Sequence, residues 1–282
     1  MPPVRKLKTA EYPSLLNEIP DPPKQLFVRG SLPHEHNLLL CVVGSRKYSE
    51  YGKSVCHHLI TGLAGLPVTI VSGLAIGIDT VAHQSALESN LQTIAVPGSG
   101  IDPRVIYPTS NKELSEQIIR AGGGLLSEYE PMFKATTWSF PRRNRIMAGL
   151  CHAILVIEAQ EKSGTLITAR LASEYNRDVL AVPGSIFSTY TTGPHHLIKD
   201  GATPITCLQD LQNALGFENQ QVAKTYENCT PHERILISLL KTPKKREELN
   251  VSGLSRDDIT MALTLLDMKG YINEQYGKIY LC

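Results

Sequence analysis

The sequence predicts an α/β protein, a Rossmann-like doubly wound parallel sheet followed by a C-terminal winged-helix domain. Three observations lead to this fold class. Short apolar runs alternate with helical stretches from residue 38 to about residue 205. Turns of small residues follow most of these runs, and residues 230–282 carry separate helix and hairpin signals. Alternation of strands and helices favours a parallel sheet with right-handed crossovers.

Six apolar runs are expected to form the parallel strands. Each run is short and continuously apolar, which is typical of strands that are buried on both faces. Helical patterns lie between the runs, for example over residues 77–90 and 165–176. The predicted strands cover residues 38–43, 68–71, 93–96, 125–126, 153–157 and 179–182.

Composition separates the chain into four segments. Residues 1–37 form a proline-rich lead-in, which we expect to be extended and to wrap the sheet. Residues 38–215 form the Rossmann-like domain. The polar stretch 216–229 is a predicted linker, and residues 230–282 form the predicted winged-helix domain.

The C-terminal segment carries the signals of three helices and a hairpin. Thr230 precedes Pro231 at the first helical position and Glu233 at the third, which together are a strong helix start. We expect a first helix to about residue 240, a short one over 246–249, a third from residue 255 and a hairpin over 271–280.

The third of these helices would take the place of a DNA-recognition helix, but its charge argues against that role. Asp257 and Asp258 lie in its first turn and Asp267 follows, against the two cations Arg256 and Lys269. DNA phosphates would repel this helix start. We therefore expect a module for protein contact or regulation, with weak DNA contact as the alternative.

The overall charge is nearly balanced. The 282 residues include 28 Lys and Arg against 27 Asp and Glu, a net charge of +1. Contact with nucleic acid must therefore come from a local patch rather than from a global basic field. No apolar run approaches the roughly 18 residues of a membrane span, and the N-terminus lacks an apolar signal core.

The cysteines indicate a reducing cytoplasm. None of the six lies in a C-x-x-C pair, and Cys41 and Cys151 lie in or beside apolar strands. Such cysteines behave as small buried hydrophobes rather than as disulfides or zinc ligands. We expect a cytoplasmic protein with no metal and no cofactor.

The strongest functional signal is the basic and aromatic segment 138–150. Arg142, Arg143 and Arg145 lie within four positions, with Asn144 among them, at a predicted helix start. Arg142 and Arg145 share a helix face. Guanidinium groups bind phosphates and stack on bases, which favours a flexible strand of nucleic acid as the ligand. The alternative is a surface helix whose arginines pair with local acids.

Two other segments are expected to join this cluster. Gly44-Ser45-Arg46 follows the first predicted strand, and Ser163-Gly164-Thr165 opens a helix after the fifth. Because the carboxyl ends of parallel strands share the edge where ligands bind, we expect these segments to meet. Arg46 can reach a phosphate or a base, and helix-start amides can bind an anion. Turns of this type use glycine for structural reasons anyway, but that does not explain Arg46.

Two aromatic residues begin the segment. Phe140 could provide a stacking platform, worth about 1–3 kcal/mol per base, or could plug the edge of the sheet. The sequence leaves these two interpretations of Phe140 open. For Trp138 the plug is the favoured interpretation, and stacking is the alternative.

Asp79 and His83 are the residues that most resemble a catalytic pair. They lie four apart on one predicted helix face and could act as acid and base. No nucleophile or metal set accompanies them. The favoured interpretation is a hydrogen bond that holds the loop 72–77, and we expect no catalytic residues.

Several longer motifs are highly specific when taken together. They are Val43-Gly44-Ser45-Arg46, Ser72-Gly73-Leu74-Ala75-Ile76-Gly77-Ile78-Asp79-Thr80-Val81-Ala82-His83, Tyr107-Pro108-Thr109-Ser110-Asn111, Phe140-Pro141-Arg142-Arg143-Asn144-Arg145-Ile146-Met147-Ala148-Gly149-Leu150, Glu158-Ala159 with Ser163-Gly164-Thr165-Leu166-Ile167-Thr168-Ala169, and Val182-Pro183-Gly184. On these motifs the chain closely resembles the bacterial DNA-processing protein A (DprA, or Smf) family over nearly its whole length.

The resemblance implies a Rossmann-like homodimer that binds single-stranded DNA and loads RecA recombinase onto it in natural transformation. Family members often carry a helical domain before the lead-in, whereas only a few residues precede Tyr12 here. They also often carry a basic residue before the Phe-Pro motif, for which Lys134 is the equivalent in this chain. Residues 186–198 are expected to take part in the dimer.

The predicted function is that of a non-enzymatic single-stranded DNA-binding recombination mediator. The alternative is a nucleotide-binding enzyme of the phosphoribohydrolase type. Those enzymes use a P-G-G-x-G-T loop, and the corresponding Glu161-Lys162-Ser163-Gly164-Thr165 lacks the double glycine. The predicted DNA-binding residues are Gly44, Ser45, Arg46, Lys134, Phe140, Arg142, Arg143, Asn144, Arg145, Ser163, Gly164 and Thr165.

Overall fold

The computed structural model describes residues 2–217, 229–240, 242, 244–249, 254–275 and 277–281. The chain divides into two units, Met1–Gln220 and Gln221–Cys282. Every residue of the predicted DNA-binding site lies in the first unit.

A nine-stranded sheet forms the centre of the first unit as described. Its order is β1-β2-β6-β5-β4-β3-β7-β8-β9, for β1 (Arg5–Lys6), β2 (Phe27–Gly30), β3 (Leu38–Val43), β4 (Val68–Ser72), β5 (Gln92–Ala95), β6 (Gly124–Ser127), β7 (Ala153–Val156), β8 (Asp178–Ala181) and β9 (Thr203–Pro204). Neighbours from β6 to β9 are parallel, whereas β1 and β2 are antiparallel additions. The predicted doubly wound sheet is confirmed, and each predicted strand lies within one residue of its expected bounds.

The helices of this unit leave both faces of the sheet covered. In β3, Leu39 and Cys41 face one core, and Leu40 and Val42 face the other. Because successive side chains of a strand point to opposite faces, a strand buried on both sides reads as a continuous apolar run. The helices described here are α1 (Glu50–Thr61), α2 (Ile78–Glu88), α3 (Lys112–Arg120), α4 (Ser139–Leu150), α5 (Gly164–Glu174), α6 (Thr192–Lys199) and α7 (Leu208–Ala214).

The proline-rich lead-in does more than wrap the sheet. It contributes β1 and β2, and β2 pairs antiparallel with β6 and so extends the sheet at that edge. Between them, Leu16 and Ile19 pack against α4, where a Cβ on Gly149 would lie 2.7 Å from Ile19. The prediction of an extended segment that wraps the sheet was therefore incomplete, because apolar residues between the prolines pack into the core.

The ends of the predicted linker belong to the two units. Phe217 packs against the core of the first unit, and Cys229 is buried in the core of the second. Residues 218–228 of the predicted linker lie outside the described residues.

The second unit contains the predicted elements in the predicted order. Helix α8 (Pro231–Leu239) is followed by a 3-10 helix (Arg246–Glu248), α9 (Arg256–Met268), β10 (Ile272–Gln275) and β11 (Lys278–Leu281), and the two strands pair antiparallel. The Thr230 hydroxyl accepts from the Glu233 amide at 3.3 Å, so the predicted cap is present. Its assignment as a winged helix stays a prediction.

Candidate nucleic-acid interface

The candidate site lies where the strand order of the sheet reverses. Strands β3 and β7 are neighbours, and the chain leaves them on opposite sides, which is the position at which open α/β sheets bind ligands. The Gly44-Ser45-Arg46 turn follows β3, and Ser163-Gly164-Thr165 follows β7. The Thr165 hydroxyl donates to the Gly44 carbonyl at 3.1 Å. The structure therefore brings these two predicted segments together.

Arg46 is an exposed cation at this position. Its guanidinium carbon lies 5.3 Å from the centre of the Phe140 ring, within cation–π range. The turn that carries it is tightly held, because a Cβ on Gly44 would lie 2.6 Å from Ile78. The Ser45 carbonyl also accepts from the Ile78 amide at 3.2 Å. The fold thus fixes the backbone of Arg46 and leaves its side chain available.

Phe140 is partly buried and packs against the turn that follows β5. A Cβ on Gly98 would lie 2.5 Å from the Phe140 ring, and the Tyr107 ring lies 5.6 Å away at 51°. The neighbouring Ser139 hydroxyl donates to the Gly98 carbonyl at 2.6 Å and anchors the same helix turn. These contacts favour the packing interpretation of Phe140, with the added role of supporting Arg46.

The start of α5 satisfies part of its own backbone. The Ser163 hydroxyl accepts from the Thr165 amide at 3.2 Å, as an N-cap residue does. Gly164 is exposed, and a Cβ there would meet nothing within 4 Å. The first turn of α5 carries no acidic side chain, so an anion can approach it.

The three arginines of α4 do not form one exposed cluster. Arg143 is only 5% exposed and donates to the Gly73 carbonyl at 2.7 Å and to the Val96 carbonyl. It therefore ties α4 to the carboxyl ends of β4 and β5. Burial lowers the pKa of Arg143, while the Asp79 carboxylate acts in the opposite direction.

Arg145 and Asn144 also have partners within the fold. Arg145 pairs with the buried Glu128 carboxylate and donates to the Asp21 carbonyl at 2.7 Å. The Asn144 amide donates to the Gly164 carbonyl at 3.3 Å. For Arg143, Asn144 and Arg145, the expectation of groups presented to a ligand gives way to local pairing. Their acceptors come from the ends of β-strands, the lead-in and the start of α5, which only the fold brings to α4.

Arg142 and Lys134 remain exposed. The Arg142 Nε lies 3.7 Å from a Glu128 carboxylate oxygen, which is an ion pair but too long for a hydrogen bond. Arg142 and Arg145 thus share a helix face, as predicted, and both contact Glu128. Lys134 lies in the exposed loop between β6 and α4.

Asp79 holds a loop, and His83 contacts strand β5. Asp79 accepts from the amides of Gly73 at 3.1 Å and Ala75 at 3.3 Å, and the His83 Nδ1 lies 2.7 Å from the Thr93 hydroxyl. Burial raises the pKa of Asp79 and lowers the pKa of His83 to about 3, so this histidine is neutral at pH 7. The favoured interpretation, a hydrogen bond to the loop 72–77, is confirmed for Asp79, whereas the His83 ring contacts Thr93 of β5.

Two exposed side chains near the site have no role predicted from the sequence. Tyr107 is half exposed beside Phe140, in a long loop after β5. Lys24 lies in the lead-in and contributes to a cavity beside α4. Tyr107 could have been predicted from the sequence, because it is an aromatic residue in a long loop at the edge of the sheet where ligands bind. The position of Lys24 could not, because it depends on how the lead-in packs.

Membrane spans and metal sites were both looked for in the part of the chain that the structure describes. No helix there is long and apolar enough to cross a membrane. No group of three His, Cys, Asp or Glu side chains there is placed to hold a metal ion.

The sequence matches known proteins over most of the first unit. Residues 4–216 match the family described as DNA recombination-mediator protein A. The chain is 46% identical over 202 residues to DNA processing protein DprA of Streptococcus pneumoniae, across 71% of this chain and 70% of that protein. It is 43% identical over 206 residues to protein Smf of Escherichia coli, across 73% of this chain and 54% of that protein.

Two solved structures share the fold. The X-ray structure of DprA from Streptococcus pneumoniae gives a TM-score of 0.69 at 43% identity, over 74% of this chain and 73% of that one. A structure of DNA processing protein A from Helicobacter pylori gives 0.66 at 31% identity, over 75% of this chain and 95% of that one. The Helicobacter pylori work concerns the single-stranded DNA binding mode of that protein.

Proposed function

Because this chain belongs to the DNA recombination-mediator protein A family, we propose that it is a non-enzymatic, sequence-independent single-stranded DNA-binding protein that acts as a recombination mediator. The observation that carries the proposal is Arg46, an exposed guanidinium supported by Phe140 at the position where the strand order reverses. The similarity to the Helicobacter pylori protein, whose single-stranded DNA binding has been described structurally, supports it.

The groups available at this site suit a single strand of any sequence. A guanidinium binds phosphate oxygens through its fork of donors and also stacks on a base. The exposed start of α5 adds a second attraction for an anion. Cation and aromatic contacts do not distinguish one base from another, so binding tolerates all sequences.

The proposal also includes partners and a setting. We propose that the protein works as a homodimer in the cytoplasm and loads RecA recombinase onto DNA during natural transformation. Ile186 and Phe187, which are 81% and 92% exposed, lie in the segment predicted to take part in the dimer. Phe187→Ser should weaken self-association in analytical ultracentrifugation. The loading step is tested by following RecA filament assembly on single-stranded DNA to which this protein is bound.

The binding proposal is tested by titrating labelled single- and double-stranded DNA at two salt concentrations. Arg46→Ala should weaken binding to all single-stranded sequences alike. It should also reduce the slope of log affinity against log salt by about 0.7, the value for one phosphate contact on a single strand. Arg120→Ala is the matched control. Arg120 is an exposed arginine at the end of α3, and it lies near the start of β6, whereas the candidate site lies at the carboxyl ends of the strands. Unchanged affinity in Arg46→Ala would overturn the site.

The alternative function, nucleotide hydrolysis, has a test of its own. Two carboxylates near this edge of the sheet are hydrogen-bonded within the fold: Asp79 holds its loop, and the Glu158 carboxylate accepts from the Ser49 amide at 2.9 Å. We therefore expect no free base after incubation with nucleoside monophosphates. Release of base at a steady rate would favour the enzyme instead.

A further inference from the structure

A cavity of about 470 Å³ lies beside the start of α4, separate from the contacts of Arg46. Trp138 and Tyr129 form its aromatic wall, and Lys24, Gln25 and Arg142 also line it. The volume falls within the range of sites that bind small molecules. Its residues come from the lead-in, the end of β6 and α4, all within the first unit.

Trp138 lines this cavity with a half-exposed ring. The indole is 53% exposed, so it does not act as the plug that the sequence favoured. It is held from behind, with the Tyr129 ring 5.9 Å away at 78° and the Phe133 ring 5.7 Å away at 60°. Tyr129 and Phe133 stack on each other at 4.4 Å. An indole fixed in this way can stack on a base at a small entropy cost.

The charges around the cavity favour an anion. At its base the buried Glu128 carboxylate pairs with Arg145, so those two charges largely cancel. Arg142 is 55% exposed and only loosely paired with Glu128, and Lys24 is exposed. The remaining acid at the rim, Asp21, lies 3.3 Å from Arg145 and is 69% exposed, so the three cations and two acids that line the cavity leave a net charge of +1. Arg142 and Lys24 are therefore two exposed cations that line the same cavity as the half-exposed Trp138 ring.

We propose that this cavity is a second nucleotide subsite, which takes a base against Trp138 and a phosphate between Arg142 and Lys24. Trp138, the residue before α4, and Phe140, in its first turn, lie two residues apart and contact different neighbours. One strand of DNA crosses this turn, with Arg46 on one side and Trp138 on the other. The inference rests on the proposed single-stranded DNA binding.

Trp138 is the only tryptophan in the chain, so its emission reports on this cavity alone. The full-length protein is titrated with unlabelled oligothymidylate while indole emission is recorded, and in parallel with a labelled oligothymidylate while anisotropy is recorded. A stacked base should quench the emission with the same midpoint as the anisotropy curve. Trp138→Ala should weaken binding by roughly 5- to 150-fold, the range for loss of one stacked base.

Lys24→Ala provides a second variant at an exposed position, where folding is not at risk, and Arg120→Ala is the control. Lys24→Ala should weaken binding and reduce its salt dependence, and Arg120→Ala should do neither. One outcome would overturn the second subsite alone. Anisotropy would show DNA binding that Arg46→Ala abolishes, but indole emission would stay constant and Trp138→Ala would keep full affinity. The second subsite would then be wrong, and the proposed function would stand. If the unmodified protein gives no anisotropy change, the proposed function fails and the subsite with it.

Discussion

Arg143→Ala is expected to destabilise the first unit rather than remove a DNA contact. The guanidinium is 5% exposed, and its donors satisfy the Gly73 and Val96 carbonyls at the ends of two neighbouring strands. It also lies near the buried Asp79 carboxylate and opposes the rise that burial causes in the pKa of that group. Alanine at this position would leave all three acceptors without the cation.

The size of the effect follows from these contacts. Removing one member of a buried charged network costs about 3–5 kcal/mol, because the remaining groups stay buried and unpaired. For a unit of about 200 residues, each kcal/mol lowers Tm by roughly 2–4 °C, so a fall of about 6–20 °C is expected. Arg46→Ala changes an exposed side chain and should alter stability by no more than about 0.5 kcal/mol.

Thermal unfolding followed by circular dichroism measures this difference, and DNA affinity is measured at a temperature where both variants are folded. We expect Arg143→Ala to melt early, and Arg46→Ala to melt like the unmodified protein but bind DNA poorly. If Arg143→Ala melted within about 2 °C of the unmodified protein and still lost DNA affinity, Arg143 would contact the ligand, and the assignment of its two carbonyl partners would be refuted.

Three other changes test the same structure. The pKa of His83 in the folded protein is about 3, below its ordinary value of 6.5, so the stability that neutral His83 contributes is complete above pH 6.5 and is lost as the pH falls. In denaturant titrations between pH 6 and pH 4, the unmodified protein should lose about 1.4 kcal/mol more of its free energy of unfolding per pH unit than His83→Gln. Equal losses of stability per pH unit in the two proteins would contradict this. Gly98→Ala forces the Phe140 ring aside and should cost about 1–3 kcal/mol while weakening DNA binding; an unchanged Tm and affinity would show that the ring is not seated there. A chain that ends at Gln220 should keep its affinity for single-stranded DNA, and a large loss would assign DNA contacts to the second unit.

Secondary structure was predictable where one local cause dominated. The strand at residues 38–43 was found with its expected bounds because alternate side chains enter the two cores, which makes every position apolar. The helix after Thr230 was equally clear, since a cap, a proline and a glutamate act together within four residues. The lead-in was less predictable, because pairing of β2 with β6 depends on a partner almost 100 residues away.

The location of the candidate site was also predictable. Turns after parallel strands meet at one edge of a sheet, so Gly44 and Thr165 came together as expected. The roles of the arginines were not predictable in the same way. The three arginines of α4 have the same chemistry, and their sequence positions do not show which guanidinium will find an acceptor.

The sequence by itself therefore determined the fold class and the edge of the sheet where the candidate segments meet, and it predicted the type of ligand that their cations favour. Only the tertiary structure decided which cations are available to that ligand. Arg143 is occupied by carbonyls 70 and 47 residues away, and Arg145 by Glu128 and the lead-in, whereas Arg46 stays exposed over Phe140. The physical reason is that a buried guanidinium must find acceptors wherever the folded chain supplies them, and these lie far away in sequence.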